Sequence, residues 1–136
     1  MNKYTEYLKH KIENPDKVVF VKIGNFYHTF DIDALIIESI FNYKLSINKE
    51  IKVGFPISSI EKIKAELDKL KISYSIVYNN DTTKNDNNAF EAFKEKVKDR
   101  HEYIHKYKYI LDKLNSYIFD KDSDKKIIDD IYETLK

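Results

Sequence analysis

The first half of the chain interleaves short apolar runs with amphipathic segments. Residues 18–23 are nearly continuous in hydrophobicity, which is typical of a strand buried on both faces. Gly24-Asn25 predicts a turn after this run. In all, five segments have the composition or alternation of strands: 18–23, 26–30, 45–47, 51–55 and 72–78.

Three further segments, one before the first strand and two between strands, have helical spacing. They are residues 4–13, a segment that begins near Asp31 or Asp33 and ends near Asn42, and residues 59–70. Asp31 or Asp33 is expected to cap the second helix, and Ser58-Ser59-Ile60-Glu61 predicts a capping box at the third. This interleaving predicts an α/β protein.

The second half of the chain has a different pattern. Residues 79–88 are rich in Asn, Asp and Thr and predict a linker. Beyond them apolar residues recur every seven positions, which predicts a helix of about 30 residues. The repeating positions are Phe90, Val97, Ile104, Leu111 and Ile118, with Phe93, Tyr107 and Leu114 beside them.

A last short helix is predicted to fold back on the long one. Its apolar side carries Ile127, Ile128, Ile131 and Leu135. The predicted organisation is therefore an α/β domain over residues 1–78, a linker over 79–88 and a C-terminal helical hairpin over 89–136.

Composition narrows the class of protein. The 136 residues suit one domain with an appendage, and 42% hydrophobic content argues against intrinsic disorder. Without cysteine there is no disulfide, thiolate zinc site or thiol nucleophile. No run reaches the length of a membrane span, and no signal peptide is visible, so we expect a cytoplasmic protein.

Charge adds little about nucleic acids. The net charge is +1 and no basic tail is present. Residues 94–113 hold seven bases and four acids, whereas residues 120–133 hold six acids and three bases. A basic stretch is thus followed by an acidic one.

The predicted long helix contains His101-Glu102-Tyr103-Ile104-His105, which matches the zinc motif H-E-x-x-H. His101 and His105 would lie one turn apart, but only Asp residues and Glu133 remain downstream as a third ligand. Arg100 and Lys106 bracket the motif with positive charge, which opposes a dication. A zinc metalloprotease is therefore the third hypothesis for this chain, and we predict neither a metal nor another cofactor.

The same helix offers another interpretation. Arg100, Lys106 and Lys108 could contact phosphates while the neighbouring tyrosines stack on bases. Alternatively, these basic residues form only the solvated side of the helix.

Two sequence motifs resemble a known family. Residues 22–30, Lys-Ile-Gly-Asn-Phe-Tyr-His-Thr-Phe, followed by Asp33-Ala34, are similar to the Arg-x-Gly-Asp-Phe-Tyr-Glu-x-Phe and Asp-Ala of the MutS mismatch-recognition domain, domain I. Val53-Gly54-Phe55-Pro56 resembles its Ala-Gly-x-Pro loop. The shared order covers about residues 4–78. The resemblance implies a small mixed sheet flanked by helices, as in an α+β fold.

The resemblance also implies roles for two residues. In the family the Phe inserts into the duplex and stacks on the mispaired base, and the Glu hydrogen-bonds that base. Phe26 matches the wedge, but His28 stands at the Glu position. Histidine can also donate or accept a hydrogen bond, yet its charge changes near neutral pH. Strand alternation predicts that Phe26, His28 and Phe30 share one face. A structural alternative to these roles is that Gly24 only forms the turn and that Phe26, Tyr27 and Phe30 are core aromatics.

The leading hypothesis is a non-catalytic module that binds DNA or a DNA–RNA hybrid through Phe26, His28 and nearby Lys22. A protein partner would supply any catalysis, since a chain with two glycines has no Gly-rich phosphate loop. The alternative is a protein-interaction subunit in which the heptad helix mediates docking to a partner or formation of a homodimer.

Overall fold

The computed structural model describes residues 2–77, 81–83, 88–116 and 122–136. They belong to two compact units, Met1–Tyr103 and Ile104–Lys136. The first unit holds the sheet, and a long helix runs from the first unit into the second. Ile118 and most of the predicted linker lie outside the described residues.

The predicted order of strands and helices is present. The elements are α1 (Lys3–Glu13), β1 (Val18–Ile23), β2 (Phe26–Phe30), α2 (Asp31–Phe41), β3 (Ser46–Ile47), β4 (Ile51–Pro56), a 3₁₀ helix (Ile57–Ser59), α3 (Ile60–Lys69), β5 (Tyr74–Ile76), β6 (Asp81–Thr83), α4 (Ala89–Ser116) and α5 (Asp122–Leu135).

The strands form one mixed sheet in the order β3-β4-β2-β1-β5-β6. β1 pairs with β5 in parallel, and the other neighbours are antiparallel. This confirms the mixed sheet that the family resemblance implied. β6 lies within the segment predicted as a linker, where Thr82 accepts a hydrogen bond from Lys17 and donates one to the Tyr74 carbonyl.

The core lies on both faces of β1, as its continuous hydrophobicity predicted. Residues Val18 to Val21 are completely buried. One face packs with α1 in a cluster formed by Tyr7, Val19, Val21, Phe30 and Val77. On the other face the rings of Phe20 and Phe55 meet edge to face at 5.5 Å. Each such side chain contributes about 1.5–3 kcal/mol by leaving water.

Asp33 is not the helix cap that the sequence predicted. α2 begins at Asp31 without a side-chain cap, and Asp33 lies completely buried in its first turn. Its carboxylate accepts hydrogen bonds from the Tyr7 hydroxyl at 2.8 Å, the Lys11 ammonium at 2.9 Å and the Val19 amide at 3.1 Å. Local sequence favoured a cap, whereas these partners come from α1 and β1.

The donors of this buried cluster compensate the Asp33 carboxylate for its removal from water. Burial raises the pKa of the Asp33 carboxyl, and the charge of Lys11 with the three hydrogen bonds opposes that shift. Burial also raises the pKa of Tyr7, so its hydroxyl remains a donor. The same hydroxyl lies 3.1 Å from the Phe30 carbonyl, so its single proton is shared between Asp33 and Phe30. α1 is thereby joined to the end of β2.

The capping box predicted at α3 is also wrong. Ser59 is the N-cap but makes no side-chain hydrogen bond, because a 3₁₀ turn precedes the helix and holds Ser59 in the helical region. The predicted apolar face of α3 is present, with Ile63 and Leu67 buried.

The two C-terminal helices differ in burial. In the first unit, α4 buries Phe90 and Val97, two of the heptad positions. Lys11 lies 4.4 Å from the centre of the Phe90 ring. In α5 no described residue is buried, although the sequence predicted an apolar face for packing. Within the described parts of the chain, no helix is long and apolar enough to cross a membrane.

The buried cluster yields a stability prediction. Asp33→Asn should lower the free energy of unfolding by about 3 kcal/mol, because the amide leaves Lys11 without its charge partner and turns an N–H group toward a donor. Glu61→Gln is the matched control, since Glu61 bonds Lys64 at an exposed site and should cost less than about 1 kcal/mol. Urea unfolding measures the stability of both variants. Equal transition midpoints for Asp33→Asn and Glu61→Gln would contradict the stabilising role of the Asp33 cluster.

Candidate nucleic-acid interface

The two residues identified by the family resemblance lie on one face of β2. Phe26 pairs with Pro56 of β4, and His28 pairs with Gly54. Since alternate residues of a strand share a face, the register confirms that Phe26, His28 and Phe30 project together. Tyr27 and Thr29 point into the opposite side, where both are buried.

Exposure changes along this face of β2. Phe30 is 2% exposed, because the rings of Tyr4 and Tyr7 of α1 lie within about 5 Å of it. Phe26, at the other end of the strand, is 46% exposed. The face is therefore covered by α1 at one end and open to solvent at the other.

The open end of β2 is held by its turn. Gly24 has φ +61°, a conformation that glycine adopts without strain, and Asn25 follows it. The Asn25 carbonyl accepts a hydrogen bond of 3.0 Å from the Ile57 amide at the start of the 3₁₀ helix. The backbone around Phe26 is thus anchored on β1, on β4 and on this helix, while its ring stays accessible.

His28 lies across the backbone of β4. A Cβ atom added to Gly54 would come within 2.5 Å of the His28 Nε2 atom, so only glycine leaves room for the imidazole in this position. The His28 and Phe26 rings are 6.3 Å apart with an interplanar angle of 47°. The two rings together form an aromatic surface beside Gly54.

The environment of His28 favours its neutral form. Partial burial lowers the pKa of His28, and the nearby charge of Lys52 lowers it further. Its Nδ1 atom is buried and has no hydrogen-bond partner among the described residues. Protonation would place an N–H group where the described part of the chain offers no acceptor, and a positive charge close to the positive charge of Lys52.

A shallow groove continues this face toward α1. Its volume is about 190 Å³, and its apolar wall includes Tyr4, Ile23 and Phe30. Ile23 pairs with Phe26, and Phe30 pairs with Lys52, so the groove lies on the same face as the two rings. Its charged lining consists of Lys3, Lys49, Glu50 and Lys52.

Lys22 does not lie with the two aromatic residues. It pairs with Tyr27, so its side chain projects from the opposite face of the sheet. Lys52 instead occupies the face of Phe26 and His28. Sequence proximity suggested Lys22, whereas Lys52 was missed because its position depends on the pairing of β4 with β2.

The basic residues predicted on α4 have different surroundings. Arg100 forms an ion pair with Glu38 of α2, in which one hydrogen bond measures 3.0 Å. Lys108 pairs with Asp112 at 3.0 Å, and Lys106 is exposed; both belong to the second unit. Arg100 therefore has a role in fastening α4 to α2.

The zinc motif does not gain a third ligand in the described structure. His101 is half-buried, and Glu102 and His105 are exposed. Among residues 2–77, 81–83, 88–116 and 122–136, no group of three or more potential ligands could hold a metal ion.

Comparison with known proteins agrees with the fold. A search of curated proteins finds no match. The model of the MutS domain I family matches residues 2–101, which run from α1 into α4 and extend past residue 78, where the sequence resemblance ends. MutS domain I is a non-catalytic DNA-binding domain of mismatch repair. The chain therefore belongs to the MutS domain I family and carries a DNA mismatch-recognition-like module.

Proposed function

We propose that this chain binds duplex DNA at mismatched or otherwise distorted sites, with Phe26 as a wedge. The observation that carries the proposal is the half-exposed Phe26 ring at the open end of β2, on a backbone anchored on three sides. An aromatic face can stack on any base, and separating stacked bases costs least where pairing is already defective.

His28 would sit beside the contacted base. A neutral imidazole offers one donor and one acceptor, whereas the Glu of the family offers only acceptors when ionised. The range of bases that the site favours should therefore differ from that of family members with Glu. A DNA–RNA hybrid is a second substrate for the same surface, because stacking does not depend on the sugar.

We also propose that the chain itself performs no chemistry. The domain family is non-catalytic, and its members recognise DNA. A protein partner would then act on the bound DNA, most simply in the cytoplasm.

The wedge is tested by shortening it. Phe26→Ala should weaken binding to a mismatched duplex by about 1–3 kcal/mol, the usual contribution of an aromatic ring stacked on a base. Fluorescence anisotropy at low salt measures the affinity. Phe26→Tyr should bind nearly as well, because it keeps the ring.

Ile12→Ala is the control for this experiment. Ile12 is 79% exposed and lies on α1, the helix that packs on the covered end of β2, so its shortening should leave DNA affinity unchanged. Equal affinities of wild type and Phe26→Ala would refute the wedge.

The protonation of His28 yields a pH prediction. Because the pKa of His28 lies below the usual 6.5, the imidazole of the free protein is protonated mainly below pH 6.5. Phosphates of bound DNA favour the cation and raise the pKa. DNA affinity should therefore increase from pH 7.5 to pH 5.5 more in wild type than in His28→Gln. The other three histidines are common to both proteins. A constant affinity ratio across this range would contradict a role for His28 near DNA.

A second function is favoured by the second unit. We propose that it mediates self-association, because Tyr132 and Leu135 of α5 are 63% and 80% exposed. α5 carries five acidic and two basic side chains. Residues 104–116 of α4 carry three lysines and one aspartate. In a two-fold dimer, the acidic α5 of each copy would meet the basic segment of the other.

This dimer is tested by removing apolar surface from α5. Leu135→Ser should weaken dimerisation at least about tenfold, since burying a leucine contributes about 1.5–3 kcal/mol. Ile12→Ser is the control, because Ile12 is equally exposed but lies on α1. Sedimentation equilibrium measures both variants. A monomeric wild type at high protein concentration and low salt would exclude this function.

A further inference from the structure

The groove beside the wedge contains positive charge that the protein does not neutralise. Lys3 bonds Glu6 at 3.3 Å, so its charge is compensated locally. Lys49 and Lys52 form no ion pair with any described residue of the chain. Glu50 is the acid in the lining of the groove, and its charge acts on Tyr4. The groove therefore keeps a net positive charge.

Strand geometry relates this charge to the aromatic rings. Gly54, opposite His28, and Lys52, opposite Phe30, are two residues apart on β4 and share one face. Two residues of a strand span about 7 Å, so the Lys52 side chain begins one step from the imidazole. The influence of Lys52 on the pKa of His28 agrees with this closeness.

We propose that the groove is a phosphodiester-binding site in which Lys49 and Lys52 hold the DNA backbone next to the base contacted by Phe26. This inference rests on the proposed function and fixes which face of the sheet follows the DNA strand. A lysine ammonium binds phosphate as a point charge and needs no rigid geometry, which suits two flexible side chains at the rim of a shallow groove.

The apolar wall of the groove supports the same ligand. Ile23, Phe30 and Tyr4 line the groove together with the lysines. The Tyr4 hydroxyl donates to Asp31 at 2.8 Å, so its proton is already engaged within the protein. Phosphate oxygens would meet the ammonium groups, and the sugar would meet the apolar wall.

Salt dependence distinguishes this site from a general positive surface. Each phosphate contact adds about 0.9 to the slope of log affinity against log salt concentration. Lys52→Gln and Lys49→Gln should each lower the slope by about 1 and weaken binding roughly five- to tenfold at about 100 mM salt. Lys52→Arg keeps the charge and should keep the wild-type slope.

Lys22→Gln is the matched control. It removes the same charge from the same sheet, but Lys22 projects from the opposite face. Its slope should equal that of wild type. The full chain is titrated with a fluorescent mismatched duplex between 50 and 200 mM salt, and urea unfolding shows whether each variant is folded.

The outcomes separate the inference from the proposed function. If Lys22→Gln lowers the slope as much as Lys52→Gln, the backbone does not follow the groove and the inference is overturned. If all three glutamine variants keep the wild-type slope while Phe26→Ala still weakens binding, the wedge stands and the groove is excluded. If the wild-type chain binds no duplex at low salt, the proposed function itself fails.

Discussion

The buried Asp33 carboxylate is the interaction on which the position of the open sheet face depends. It accepts hydrogen bonds from Tyr7 and Lys11 of α1 and from the Val19 amide of β1, while its own backbone lies in the first turn of α2. The Tyr7 hydroxyl also lies within hydrogen-bond distance of the carbonyl of Phe30, the last residue of β2. Three elements therefore meet at one side chain, and Tyr7 connects a fourth, β2, to it. A charge removed from water is stabilising only where every partner is in place, so this cluster requires one arrangement of α1 on the sheet.

That arrangement decides which part of β2 is accessible. α1 covers Phe30 and stops before Phe26, so one strand supplies both a core aromatic and a half-exposed one. If Phe26 acts as the proposed wedge, it must resist displacement when it enters a stacked duplex, because any yielding of the backbone would return the base to its stack. The covered end of β2 would provide this resistance through its contacts with Tyr7, and the Gly24-Asn25 turn would provide it at the open end through the hydrogen bond from Ile57.

Local patterns in the sequence were sufficient for the elements other than β6 and the 3₁₀ helix and for the shared face of Phe26 and His28, because these follow from periodicities within one segment. They were insufficient wherever a role depends on strand pairing or burial. Lys22 precedes Phe26 by four residues across a turn, yet the register places it on the other face, while Lys52 comes to the site from β4. Asp33 has the composition of a cap, but its partners are 14 to 26 residues away along the chain. No local rule contains that information.

The pair of Gly54 and His28 connects packing to the charge of the interface. Because Gly54 has no side chain, the imidazole lies against β4. Its Nδ1 atom is buried, and the partial burial of the ring lowers the pKa of His28. In the proposed complex, the largely neutral His28 at the position of the family's Glu would not repel phosphate. Lys52 beside it would add attraction for any duplex. Such a uniform gain would raise affinity for matched and mismatched DNA alike, so discrimination would come from the cost of unstacking at Phe26.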